Sequence, residues 1–323
     1  MPPSSGITTR GTWLGAMNDP LVPDSFTDRL CVAILSKRNF ACVGLDPDIA
    51  AYPLNAFTSL GLAPPRNPAL AAAAIREINR RTIQEIQHLV PAVKFQSAFY
   101  EALGPDGIVT LRDGLLDARS AGLLAIVDAK RNDIGHSAQA YANAYVGSLS
   151  FLDGSVYRPF PADAVTVNPF LGIDGLLPFV ETCASHDTGM FMLLRTSNPS
   201  GGQVQNFQGS FGTVADQLAG WVNDWNNEAA SSRFGFGPVG VVIGATADAA
   251  ALRRRIPTAF ALVPGYGAQG GSAEAVRELC DSRGLGVVVN SSRGVLYGNE
   301  PIGESYWDQV RARTEAMCKD FAL

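Results

Sequence analysis

Asp128–Gly135 reads DAKRNDIG, and the apolar run Leu123–Val127 (LLAIV) leads straight into it. A short, partly β-branched apolar run of this kind has the character of a buried strand. Side chains alternate across a strand, so Asp128 and Lys130 are expected on one face. On a helix, positions two apart do not face each other. Asp133 follows where the strand should be ending. An acid, a base and an acid are thus gathered at the end of a hydrophobic strand, where charges are costly unless paired. The same residues admit a plainer reading, a structural Asp–Lys ion pair, and the motif alone leaves both open.

The surrounding chain bounds the choice. Its 323 residues suffice for one large α/β barrel or two smaller domains. A hydrophobic content of 46% with 17% charged residues fits a packed globular core. The formal charge of −5 offers no broad basic surface for nucleic acid, and Arg253-Arg254-Arg255 reads as a solvated face near a helix end. The five cysteines contain no CxxC, which argues against a disulfide framework or zinc site and for a reducing cytoplasm. His88, His136 and His186 have no metal-site spacing. No apolar run approaches the roughly 18 residues of a membrane span, and no signal peptide is evident.

Residues 1–24, rich in Pro, Ser, Gly and Thr, read as an N-terminal extension. Ser25 or Asp24 is placed to cap a first helix running through Leu30, Val32, Ile34 and Leu35. Strand candidates then recur at 40–45, 90–95, 123–127, 164–168, 190–195, 239–244, 259–263 and 286–290. Helical stretches at 68–88, 136–149, 173–185, 212–229, 247–256, 272–283 and 304–321 fall between or after them, the last with Tyr306, Val310, Met317 and Phe321 near one face. Strand–helix alternation implies parallel strands joined by crossovers, and eight such units imply a (β/α)₈ TIM barrel of class α/β, one catalytic domain over 25–323. A doubly wound open sheet is the alternative, weakened because no G-x-G-x-x-G follows the first strand. The connection Thr196–Gly212 is long and reads as a lid or binding loop without structure of its own.

A barrel carries its chemistry at the C-terminal ends of its strands. Those ends are polar here: Asp46 and Asp48 after the first strand, Lys94 and Gln96 on the second, Asp128, Lys130 and Asp133 on the third, Thr166 and Asn168 on the fourth, Arg195–Asn198 on the fifth. Asp48 and Asn168 are adequately explained as caps; the recurrence at nearly every strand is not. After strands seven and eight come Pro264–Gly271 (PGYGAQGG) and Asn290–Gly294 (NSSRG). Glycines let backbone N–H groups approach an anion, and Arg293 adds a forked cation, so these loops read as a phosphate site.

These residues resemble the orotidine 5′-phosphate decarboxylase family over nearly all of the chain after the extension. The signature is Asp-x-Lys-x-x-Asp, here Asp128, Lys130 and Asp133. Supporting matches are LDP at 45–47, VKF at 93–95, PGYGAQGG at 264–271 and Ser-Arg-Gly at 292–294. The DAKRNDIG form and the long loop after strand five resemble the longer, type-2 bacterial branch.

The resemblance implies decarboxylation of orotidine 5′-phosphate to UMP, the last step of de novo UMP synthesis, by a carboxy-lyase needing no cofactor or metal. It implies a charged network of Lys94, Asp128, Lys130 and Asp133, with Lys130 stabilising and protonating the C6 carbanion. It further implies that Asp46 contacts the ribose, that Ser197 contacts the pyrimidine edge, and that Gln269, Gly270 and Arg293 take the phosphate. Asp133 and Ser137 would reach the neighbouring subunit's ligand in a homodimer. Arg131-Asn132 within the motif departs from many relatives. Three rivals remain at this level. A magnesium-dependent sugar-phosphate relative would want an acid where Lys94 stands. A Schiff-base aldolase would need a lysine of lowered pKa, which flanking aspartates oppose. A barrel that binds a phosphorylated ligand without chemistry would keep the anion site alone.

Overall fold

The computed structural model describes residues 25–323 apart from 211, 230–231, 245, 247, 266–272 and 298–304. Eight parallel strands close into a barrel: β1 (Ala41–Gly44), β2 (Ala92–Gln96), β3 (Leu124–Arg131), β4 (Ala164–Val167), β5 (Gly189–Arg195), β6 (Val239–Ile243), β7 (Ala261–Val263) and β8 (Val287–Ser291). Each strand bonds its sequence neighbours, and β1 pairs with β8 to complete the ring. All eight expected strands are present; the open-sheet alternative is excluded by the closure. Interior and outward side chains are both covered, so the strands are near-continuous apolar runs.

Helices follow the strands on the outside. Phe26–Lys37 crosses the N-terminal ends: Ser25 Oγ accepts from the Asp28 amide as its cap, Phe26 meets Phe191 edge-on at 6.0 Å, and Arg29 pairs with Asp163 at 2.8 Å. In the last helix, Tyr306–Asp320, Tyr306, Val310 and Met317 are buried as the periodicity predicts. The helix Gly104–Ser120 is hard to read from sequence, because Gly104, Pro105, Gly107 and Gly114 dilute its apolar stripe. Gly114 has a packing reason. A β-carbon there would lie 2.7 Å from the Phe95 ring, so glycine is what lets this helix dock against β2.

Two expectations need correction. The connection Thr196–Gly212 is not structureless: it forms the short helix Gly202–Gln205 and a hairpin pairing Gln208–Gly209 with Gly212–Thr213. The arginine cluster is not wholly a solvated face. Arg253 is 6% exposed and donates to the carbonyls of Leu279 and Ile256 at 2.9 and 2.6 Å, satisfying backbone acceptors inside the wall. Among the described residues no helix is long and apolar enough to cross a membrane.

Candidate active site

Strand ends bring Asp46, Lys94, Asp128 and Lys130 into one chain of alternating charge at the C-terminal mouth. Lys94, 3% exposed, donates to Asp46 Oδ1 at 3.3 Å and to Asp128 Oδ2 at 3.1 Å. Lys130 Nζ lies 2.5 Å from Asp128 Oδ1. Two neutral side chains complete the shell of Asp128: the Gln96 amide donates to Oδ2 at 3.0 Å and the Thr166 hydroxyl to Oδ1 at 2.8 Å. A carboxylate with four donors on its two oxygens is saturated and held in one rotamer. The Gln96 backbone N–H, in turn, donates to Asp46 Oδ1 at 3.2 Å.

Electrostatics follow from these contacts. Burial alone would raise the Asp128 pKa, but the Lys94 and Lys130 ammonium groups outweigh it and hold the carboxyl well below the usual range. Burial alone would lower Lys94, but Asp46 and Asp128 outweigh it and hold the ammonium above the usual lysine range. A lysine so placed is a fixed cation and a poor Schiff-base nucleophile.

Two cavities meet at Lys94, Asp128 and Lys130. One, of about 330 Å³, runs past Asp46 to Asn290, Ser292 and Arg293. The other, of about 550 Å³, runs over Leu193, Val242 and Leu262 to Ser197. The first is the more polar of the two: Asn290 Oδ1 and Ser292 Oγ are buried there without a hydrogen-bond partner among the described residues. Arg293 stands exposed at the start of the short helix Arg293–Leu296 beside them. The second is largely apolar with Ser197 at its rim. Gly244, at the end of β6, makes room for that residue: a β-carbon there would lie 2.8 Å from the Ser197 backbone nitrogen.

Not every expected residue joins this centre. Asp133 accepts from the Ile134 amide at 2.8 Å and makes no ion pair among the described residues. Ser137 is exposed on the helix Gly135–Tyr145 that follows. Gln269 and Gly270 lie outside the described residues. Asp48 accepts from the Ala50 amide at 3.1 Å, in keeping with a turn cap. Conversely, the structure adds Tyr297: its hydroxyl accepts from the Asp48 amide at 2.7 Å and donates to the Asp46 carbonyl at 2.5 Å. A tyrosine four residues after Arg293 carries no signal by which spacing would have found it. From sequence, Gln96 and Thr166 read only as polar strand ends. Among the described residues no cluster of three or more His, Cys, Asp or Glu could hold a metal ion.

Fold and site together define a (β/α)₈-barrel enzyme built on a lysine–carboxylate chain at the C-terminal mouth. Residues 41–305 match the model of the orotidine 5′-phosphate decarboxylase / HUMPS family. The chain belongs to that family. It is 42% identical over 302 residues to the orotidine 5′-phosphate decarboxylase of Rhodopirellula baltica, covering 91% of this chain and 97% of that one. With the enzyme of the same name from Caldicellulosiruptor saccharolyticus it shares 37% identity, covering 84% and 90%. Among solved structures, Leishmania donovani OMP decarboxylase superposes with a TM-score of 0.68 at 28% identity, over 92% of this chain and 96% of that one.

Proposed function

We propose that the protein is a decarboxylase of orotidine 5′-phosphate, forming UMP and CO₂ in pyrimidine biosynthesis. The observation that carries this reading is the Lys94–Asp128–Lys130 chain standing where a polar, anion-ready cavity meets an apolar one. A nucleotide fits that division, with phosphate toward Arg293 and Ser292, ribose beside Asp46, and pyrimidine toward Ser197. Breaking the C6–carboxylate bond leaves its electron pair on C6. Lys130 sits to stabilise that charge and then transfer an Nζ proton to it. Asp128, ionised and saturated with donors, holds the ammonium in place without titrating. Binding energy from the distant phosphate is then available to the transition state. In this reading residues 25–323 act as one catalytic barrel, Gln269 and Gly270 join Arg293 at the phosphate, and no cofactor takes part. The five cysteines, none in a disulfide, fit a cytoplasmic setting. The direct test adds purified protein to orotidine 5′-phosphate and follows the substrate's ultraviolet absorbance. A fall in absorbance is expected; a folded protein that binds the nucleotide without changing its spectrum would be a binder, not a decarboxylase.

The phosphate assignment makes its own prediction. Arg293→Ala should weaken the nucleotide by at least ~2 kcal/mol, roughly 30-fold in Kd, while orotidine without phosphate is little affected. Calorimetric titration of both ligands decides it; equal losses would place Arg293 away from the phosphate.

We further propose a homodimer with shared sites. Asp133 makes no ion pair with Lys130 among the described residues, and Ile134 and Phe170 in the adjoining loops, 55% and 77% exposed, offer apolar side chains to a second subunit. Lys130→Ala and Asp133→Ala variants, each inactive, should recover activity when unfolded and refolded together. Half of randomly formed dimers are mixed, and each mixed dimer holds one intact site, so about one quarter of wild-type activity should return. Proven mixed dimers with no recovery would show that each site is built within one chain.

A further inference from the structure

The register between β3 and β4 breaks at the motif. Ile126 and Val127 pair with Ala164 and Val165, and the next pair is Arg131 with Val167. Between those rungs β3 places Asp128, Ala129 and Lys130 against a single residue of β4, Thr166. The extra length is absorbed by a bulge, and Lys130 takes a left-handed backbone at φ 48°. A side chain with a β-carbon pays for that conformation, so the surroundings must hold it there.

Thr166 bonds directly to that turn. Its side chain is fully buried, at 0% exposure. Its Oγ1 accepts from the Lys130 backbone N–H at 2.9 Å. Because an amide can only donate, the hydroxyl proton is left for Asp128 Oδ1, at 2.8 Å. The same Oδ1 takes the Lys130 ammonium at 2.5 Å. A closed ring results: Lys130 amide to Thr166, Thr166 to Asp128, Asp128 to the Lys130 ammonium. Both ends of one lysine are thereby tied to one hydroxyl and one carboxylate. Such a bulge re-aims a side chain at a strand end, and a proton donor displaced by an ångström loses much of its rate advantage.

We infer that Thr166 is a positioning residue for the proton donor: its hydroxyl fixes the left-handed turn at Lys130 and thereby aims the ammonium at the reacting carbon. This rests on the decarboxylase reading above. Thr166 lines neither of the two cavities around the motif, so it acts through Lys130 and Asp128 and not on the substrate.

The test compares Thr166→Val, which removes the hydroxyl and keeps the branch, with Thr166→Ser, which keeps the hydroxyl and removes the methyl. Steady-state kinetics on orotidine 5′-phosphate should show kcat at least ~10-fold lower for the valine variant, KM within a few-fold of wild type, and the serine variant near wild type in both. A merely structural threonine would instead impair both variants in proportion to lost packing, or raise KM with kcat unchanged; either pattern overturns the inference, as does normal kcat in Thr166→Val. Should the valine variant not fold, Thr166→Ala removes the same hydroxyl without setting a methyl group against Asp128, and the same comparison holds. The wild-type control separates the two levels. A wild type without turnover defeats the decarboxylase reading and this inference with it; an active wild type with an unimpaired hydroxyl-free variant defeats this inference alone.

Discussion

Lys130→Ala should lower kcat by roughly 10⁴-fold, about 5 kcal/mol of transition-state stabilisation, while the fold survives. The asymmetry has a structural source. The Lys130 side chain is 42% exposed, whereas its partner Asp128 keeps Lys94, Gln96 and Thr166 after truncation. The carboxylate is therefore not orphaned, and the cost falls on chemistry. Decarboxylation kinetics paired with urea denaturation would check both halves. Turnover near wild type would remove Lys130 from the reaction, and a collapse in stability would mean that the pair is structural.

Lys94→Ala should do the opposite in proportion, abolishing activity and also destabilising the fold by about 3–5 kcal/mol, the usual cost of removing one partner from a buried charge pair. Here Asp46 and Asp128 both lose their shared cation, at a position only 3% exposed. The pH dependence has a definite sign. Asp128 has a folded pKa below its unfolded value, so its contribution is complete above about pH 4 and is lost as pH falls toward the depressed value. Removing Lys94 raises the folded value, shrinks the contribution, and moves acid unfolding to higher pH. Lys94 itself is raised in the fold, so its contribution is complete below about pH 10 and is lost on going through the raised value. Equilibrium unfolding of wild type and variant across pH would show this; parallel curves with no acid-side divergence would separate Lys94 from Asp128 energetically.

Much of this centre could be read from the chain because barrels announce themselves by rhythm. Eight apolar runs divided by helical stretches fix the topology, and polar residues at their ends then fall on one mouth. Asp128 and Lys130 were expected to meet for a reason that proves incomplete. Straight-strand alternation puts them on one face, but the contact is made through the bulge at Lys130, and nothing in Asp-x-Lys spacing encodes a left-handed residue. Tyr297 is invisible in the sequence because its role depends on a tertiary contact with Asp46 between the neighbouring ends of β8 and β1. Arg253 misled because three consecutive arginines look alike in sequence, while the helix end buries only one. The Thr196–Gly212 segment hid its short elements because four-residue helices and two-residue strands fall below any useful period.

The close docking at Gly114 reaches further than packing. β2 turns Lys94 inward and Phe95 outward, and Phe95 leans on Gly114 from the other side of the wall. A residue on the outer helix and the ammonium at the centre are thus separated by one strand and one ring. A larger residue at Gly114 must displace the Phe95 ring, on the strand that also carries Lys94. The packing that holds the ammonium in place therefore extends one strand beyond the cavity lining, to a buried glycine of the outer helix.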